Sequence, residues 1–405
     1  MPLNADDRRA FQSDPCLPGH PDPYPIYAAL RQESPVQWCE GPGMWVVLGY
    51  SEAEACMRDP RLHRQEHLDK LIRRFGADRI YQRQKVDIPY MDGEAHTLAR
   101  QHVLAAYHAI DLEQLRRFCD DVLADRLSRI PQGQWLDLMP SLAHPLPLLV
   151  NSMLMGVPPE RQQQVLEQVG PFVRARGLTQ TEESASGGDE AMEVYRHFFL
   201  PLIHERRQRP RQDLLGRLIA DPRTGLEMGD EQLLLIIASN FYSASLYTVP
   251  LLISHLALIL ARQPGLYARL RQEPFLVDSA VEEALRFDPP AQALNASVAA
   301  EALEIAGRRI AAGDSLTALV GAANRDPRLF DEPDRFLVDR RPNPHLSFAP
   351  GLHQCLGLQL ARLEVRAMLR AWLERYERIE VDEAASQRLV ADRFRGFERL
   401  MVRFG

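Results

Sequence analysis

Phe348-Ala-Pro-Gly351-Leu-His353-Gln-Cys355-Leu-Gly357 is the stretch on which the reading of this chain turns. A lone cysteine ends a loop rich in Pro and Gly. Directly after it an amphipathic pattern begins, through Leu360, Leu363, Met368 and Trp372, and predicts a helix. A thiolate placed there gains from the partial positive charge of the helix N-terminus and from the free backbone N–H groups of the loop. Gly351 and Gly357 remove side chains where the backbone must pass close to something flat and large. The plainer reading is an inert, buried cysteine in a turn.

Working outward, the composition is that of a soluble globular protein. The chain has 405 residues, 45% hydrophobic and 25% charged, long enough for more than one domain. A net charge of −7 argues against nucleic acid as a partner. The five cysteines, Cys16, Cys39, Cys56, Cys119 and Cys355, are scattered and odd in number, which fits a reducing compartment better than a disulfide framework or a zinc ribbon. The N-terminal residues contain no apolar run, so neither a signal peptide nor a membrane anchor is expected, and the location is read as cytoplasmic. The apolar segment Val249 to Leu260 is interrupted by Pro250, Ser254 and His255 and reads as a buried helix.

The quoted stretch resembles the haem-binding loop of the cytochrome P450 family, Phe-x-x-Gly-x-x-x-Cys-x-Gly, at every defining position. His353 takes the place of the family's frequent basic residue. The resemblance runs from about residue 20 to the end. It implies a mainly α fold, a triangular α-rich body with a small β-rich lobe. Residues 21–405 would be one haem domain after an extension over residues 1–20. The cofactor implied is haem b, with the Cys355 thiolate as axial ligand and Phe348, Gly351, His353 and Gly357 around it.

Other motifs fall in the family's order. His96 and Arg100 lie at i and i+4 on one helix face and match the pair that reaches the haem propionates; the planar fork of Arg suits a carboxylate. Glu283 and Arg286, joined by Arg335, match a buried structural network. A long buried helix, about Gly229 to Arg262, would cross the haem face opposite the cysteine, with Ala244 against the ring. The family's signature there is Ala-Gly-x-(Asp/Glu)-Thr-Thr, and this chain departs from it. Counting back from Pro264 without a gap puts Thr248 at the threonine, Tyr247 at the acid and Ser245 at the glycine. Tyr247 is either a substitute in proton delivery or a core aromatic. A rival register, Ala238 to Ser243, would demand an insertion.

The local pattern adds a hairpin from Val36-Gln-Trp38 to Trp45-Val-Val-Leu48, with Ser51 as N-cap of the next helix. Residues 112–128 and 135–156 read as largely helical. Thr181 to Asp189 reads as a flexible link between two helices, and Leu303 to Asp314 as a second hairpin. Asn240, Phe241, Leu246, Leu294, Asn295 and Phe394 are candidate pocket residues. The basic zone 60–92 is either a lid for an acidic substrate or carrier-bound acyl group, or a solvated surface. Arg362, Arg366 and Arg370 form a stripe at i+4 spacing, a candidate dock for an acidic ferredoxin or flavodoxin; the alternative is a solvated face with Glu364 and Glu374. The expectation is therefore a monomeric monooxygenase hydroxylating a largely apolar small molecule, with an acidic group, in specialised biosynthesis. Two alternatives stay open: peroxide-driven or coupling, desaturation or nitration chemistry, and a non-catalytic haem sensor.

Overall fold

A computed structural model describes residues 3–158, 161–220 and 227–405. They fall into two compact units: Met1–Leu62, Leu123–His144 and Thr248–Gly405 in one, His63–Val122 and Pro145–Tyr247 in the other.

The first unit holds the strands. Val36–Cys39 pairs antiparallel with Met44–Val47 around the Gly41–Gly43 turn, as predicted. Met44–Val47 runs parallel to Ser315–Ala318, which pairs antiparallel with Ser297–Ala299. Val36, Val47, Ala53, Leu316, Ala318 and Leu346 form one apolar cluster on this sheet. Leu346 lies two residues before Phe348, so the core reaches the base of the cysteine loop. Leu303–Ile305 and Arg308–Ile310 form the second hairpin. Its Ala306 and Gly307 both have positive φ, the left-handed backbone a tight two-residue turn requires.

Trp135–Asp137, expected to be helical, is instead a strand against Phe397–Phe404. Its aromatic lead residue suits a strand at the edge of a sheet. Ser51 is not a cap either. The helix starts at Tyr50, two residues before the expected Glu52, and the Asp326 carboxylate accepts from the Tyr50 N–H at 2.9 Å. Near the N-terminus, Ala5–Ser13 is a helix capped by Asn4, and Phe11 is fully buried.

The second unit is helical. Gln162–Arg174 packs against Glu182–Gln208. The flexible link expected at Thr181 to Asp189 is the start of that second helix. Thr181 and Ser184 satisfy each other's backbone N–H groups in a capping box. Gly188 serves contact, not flexibility: a Cβ there would sit 2.4 Å from the Ala175 Cβ.

The long helix runs from Asp230 to Arg262. By length and composition it could cross a membrane, but 72% of its most apolar window is buried inside the protein, as the core helix of a folded domain would be. Its middle, Ile236–Ser243, is wound as a π-helix, and α winding resumes at Ala244.

Candidate active site

The cysteine loop is closed by one backbone bond, from the Cys355 N–H to the Phe348 carbonyl at 2.9 Å. Two positive-φ residues bend it, Ala349 at +50° and Gly351 at +105°. Gly351 is required for space as well, since a Cβ there would lie 2.4 Å from the Met57 carbonyl oxygen. Gly357 caps the following helix at φ −86°, a conformation open to any residue. That helix is Leu358–Arg375. Among the five cysteines only Cys355 is exposed.

Behind the loop lies a buried network. Glu283 and Arg286 are both fully buried and joined by two bonds of 2.8 Å. Arg335 does not join them as expected. Its side chain is 66% exposed and pairs with Glu332, and only its carbonyl accepts from Arg286. The second guanidinium on Glu283 is Arg340, at 3.2 Å and 7% exposed. Arg286 also donates to the Asn324 carbonyl, while the Asn324 side chain accepts from the Leu346 N–H and donates to the Ser347 hydroxyl. The network thus fixes the two residues that lead into Phe348. Phe348 itself lies under the Arg362 guanidinium, 4.5 Å from its ring centre.

The arginine stripe after the cysteine is internally paired. Arg362 holds Glu282 through two bonds, Arg366 pairs with Asp278 and Glu282, and Arg370 with Asp278. These acids belong to the neighbouring helix Val277–Phe287. Burial alone would raise the Glu282 carboxyl, but bonds from His345 and Arg362 outweigh it and hold it down at about 2. Glu364 is no part of a solvated face. It is buried, its Oε2 has no partner, and burial pushes its carboxyl up to about 8.

On the long helix, Ala244 is exposed, and Tyr247 and Thr248 are half-buried, while Leu246 and Val249 are buried. Ala244, Tyr247 and Thr248 therefore share the accessible face, at i, i+3 and i+4. Two expected pocket residues do not. Leu246 points into packing, and Phe241 is stacked on Tyr107, ring centres 4.8 Å apart. Asn240 is half-buried, and its amide donates to Asp87 at 3.0 Å. Asp87, fully buried, also faces Arg176 at 3.0 Å, and Arg176 donates to the Ser239 hydroxyl. Burial pushes the Asp87 carboxyl up, while Arg176, Ser239 and Asn240 work against it. Asn151 bonds the Phe241 carbonyl and the Ser245 hydroxyl. His96, buried, and Arg100, half-buried, share a face of helix Gly93–His108.

In the first unit, Leu294, Asn295 and Phe394 are brought together. All three are half-buried, Ala291 bridges to Phe394, and Arg393 donates to the Asn295 side chain and lies over the Phe394 ring. Within the basic zone, Arg79 pairs with Asp189 and Glu182, Arg83 with Glu193, and Lys85 with Asp69. Those cations are neutralised on the spot. Sequence reasoning missed Asp87, Asn151, Arg176, Arg340 and Arg393. Only an excess of arginines around Pro333–Pro342 hinted at any of them.

Comparison with known proteins bears on this geometry. The family profile "Cytochrome P450" matches residues 182–393. The chain is 30% identical over 390 residues to the biotin biosynthesis cytochrome P450 of Bacillus subtilis, covering 95% of this chain and 96% of the relative. It is 32% identical over 368 residues to the cytochrome P450 monooxygenase PikC of Streptomyces venezuelae, covering 89% and 85%. The crystal structure of P450BioI in complex with an acyl carrier protein ligated to hexadec-9Z-enoic acid superposes with a TM-score of 0.86 at 29% identity, over 95% of this chain and 99% of that one. Members of that family bind haem through a cysteine thiolate and insert oxygen into their substrates. With its mainly α architecture, its small sheets and its cysteine loop, the chain belongs to the cytochrome P450 family.

Proposed function

We propose that this chain hydroxylates a largely apolar small molecule that ends in an acidic or carrier-linked acyl group, in specialised biosynthesis. It would use dioxygen and electrons from a separate ferredoxin or flavodoxin, as a cytoplasmic monomer in which residues 21–405 act as one haem domain. The observation that carries this reading is the exposed Cys355 in a loop tied at Phe348 and backed by Glu283, Arg286 and Arg340. The donor set fits haem iron: a single soft sulfur at a helix N-terminus, with bulk removed at Gly351. When bound, haem supplies dioxygen activation, aided by electron donation from the thiolate.

The chain's own residues take the remaining roles. Cys355 ligates the iron. His96, Arg100 and His353 serve the propionates, and Ala244 leaves room for the flat ring. Thr248 holds a water and passes a proton by its hydroxyl. Leu294, Asn295 and Phe394 shape the substrate site, and Arg393, held by Asn295, is the cation suited to a carboxylate there. The acyl end is supported by the relative that was crystallised with a carrier-bound fatty acid. A second reading rests on Tyr247. A phenol, with an ordinary pKa near ~10, is a weak proton shuttle, which favours peroxide-driven or coupling chemistry.

The test begins with the dithionite-reduced, carbon monoxide-treated protein. A Soret band at the thiolate-ligated position is expected, and it should vanish in Cys355→Ser; its absence from the unaltered protein refutes both readings. Turnover with a surrogate ferredoxin supports the first, and turnover with peroxide alone the second. Tyr247→Glu is expected to keep haem uptake and change the share of consumed oxygen that ends in product.

A further inference from the structure

We infer that Asn151 is a positioning residue: with Ser245 it locks the junction at which the long helix changes from π to α winding, and so sets the direction of Tyr247 and Thr248. The inference rests on the reading above, in which those two side chains serve the reaction.

A π segment carries about one residue more than an α-helix over the same span. If Ile236–Ser243 reverted to α winding, the residues beyond it would rotate by roughly 100°, the angle per residue. Tyr247 and Thr248 lie within the first turn and a half after the junction. At the junction the backbone pairing changes register. The Ala244 N–H is shared between the carbonyls of Ser239 and Phe241. Such a joint needs side chains to hold it.

Asn151 supplies that hold from helix Pro145–Met155, where it is 3% exposed. Its amide donates to the Phe241 carbonyl at 3.1 Å and to the Ser245 hydroxyl at 2.6 Å. One contact lies before the junction and one after it, so a change of winding would break at least one of them. The upstream part of the π segment has its own anchors, Asp87 on Asn240 and Arg176 on Ser239. The downstream part has Asn151. This gives Ser245 a reason. The family's pattern has glycine at this position, and glycine offers no side-chain oxygen to accept from Asn151. The serine and the asparagine form a matched pair in place of the usual motif.

The test uses Asn151→Leu, which keeps the side chain's bulk and removes both donors, together with Ser245→Ala, Ser245→Gly and Asn151→Leu/Ser245→Ala. Backbone hydrogen exchange at residues 244–248 is the readout that needs no turnover. Loss of one or two hydrogen bonds should speed exchange there by roughly three- to tenfold. The carbon monoxide spectrum is expected to stay thiolate-type. The product formed per oxygen consumed should fall severalfold in each single variant, and the double variant should fare no worse than the poorer single one, because the two act as a unit. Wild-type exchange in both Asn151→Leu and Ser245→Ala overturns the proposal. So does Ser245→Gly with unchanged or improved coupling. If Asn151→Leu fails to fold, Ser245→Ala decides by the same two readouts. If the unaltered protein shows no thiolate spectrum, the functional reading falls, and exchange alone still decides whether Asn151 holds the joint.

Discussion

Arg335 and Arg340 are five residues apart and differ in almost everything that matters to Glu283. Removing Arg340 by Arg340→Ala leaves a fully buried carboxylate with one guanidinium in place of two and should cost about 2–4 kcal/mol in a urea melt. Arg335→Ala, at an exposed pair, should cost under about 0.5 kcal/mol. Equal losses would contradict the geometry. Glu283 and Arg286 were legible because i and i+3 on a helix are neighbours by construction. The third cation was not, because Arg335, Arg340 and Arg341 all sit in irregular backbone, where the direction of a side chain follows the path of the loop. Asp87 and Arg176 were out of reach for a related reason. They are far apart in the chain, outside the regular helices, and only the packed unit brings their charges to 3.0 Å. Asp87→Asn should therefore destabilise by about 3–5 kcal/mol, the cost of breaking a buried ion pair from one side, read by thermal or urea unfolding.

Helix Glu182–Gln208 shows how a composition signal misleads. Ser-Gly-Gly-Asp looks like a hinge, yet the capping pair Thr181 and Ser184 starts the helix before it. The two glycines then differ. Gly187→Ala should stabilise by about 0.5–1 kcal/mol, since its Cβ would meet the Pro171 Cβ at an ordinary 3.8 Å and helical glycine is costly. Gly188→Ala should destabilise by about 1–3 kcal/mol through its clash with Ala175. Opposite signs in a chemical melt are the outcome to look for. In helix Leu358–Arg375 the informative residue is Glu364. Burial pushes its folded carboxyl up to about 8, above the ordinary 4.5. Between those values the folded chain binds the proton and the unfolded chain has released it, so stability falls as pH rises through that window. Glu364→Gln should remove this slope. Relative to the variant, the unaltered protein should lose on the order of a few kcal/mol between pH 5 and pH 8, measured by urea melts. Parallel curves would mean that the carboxylate finds a partner when it ionises.

For the molecule as a whole, the class of fold and the proximal loop were readable because their signals are local. The cysteine motif is ten contiguous residues, the hairpins carry their own turns, and the long helix announces itself by apolarity. The candidate residues for the substrate side, Asn240, Leu294 and Phe394 among them, lie far apart in the chain, and the π winding at Ile236–Ser243 shifts the phase of the residues after it, where Leu246 is buried and Tyr247 half-buried. No periodicity count detects that shift. The surface departs from expectation in another way. Arg362, Arg366 and Arg370 are laced to Asp278 and Glu282, so this patch carries little unbalanced charge. Long-range attraction between a balanced patch and an acidic electron donor is weak at any salt concentration. Reduction of this protein by such a donor should accordingly vary little with ionic strength, and Asp278→Asn/Glu282→Gln, by unmasking three arginines, should make it faster in dilute buffer and steeply salt-sensitive. On the proposed reading, in which a donor docks on this patch, the acids of the neighbouring helix would act as a brake on partner choice, letting short-range fit rather than net charge decide which donor is accepted.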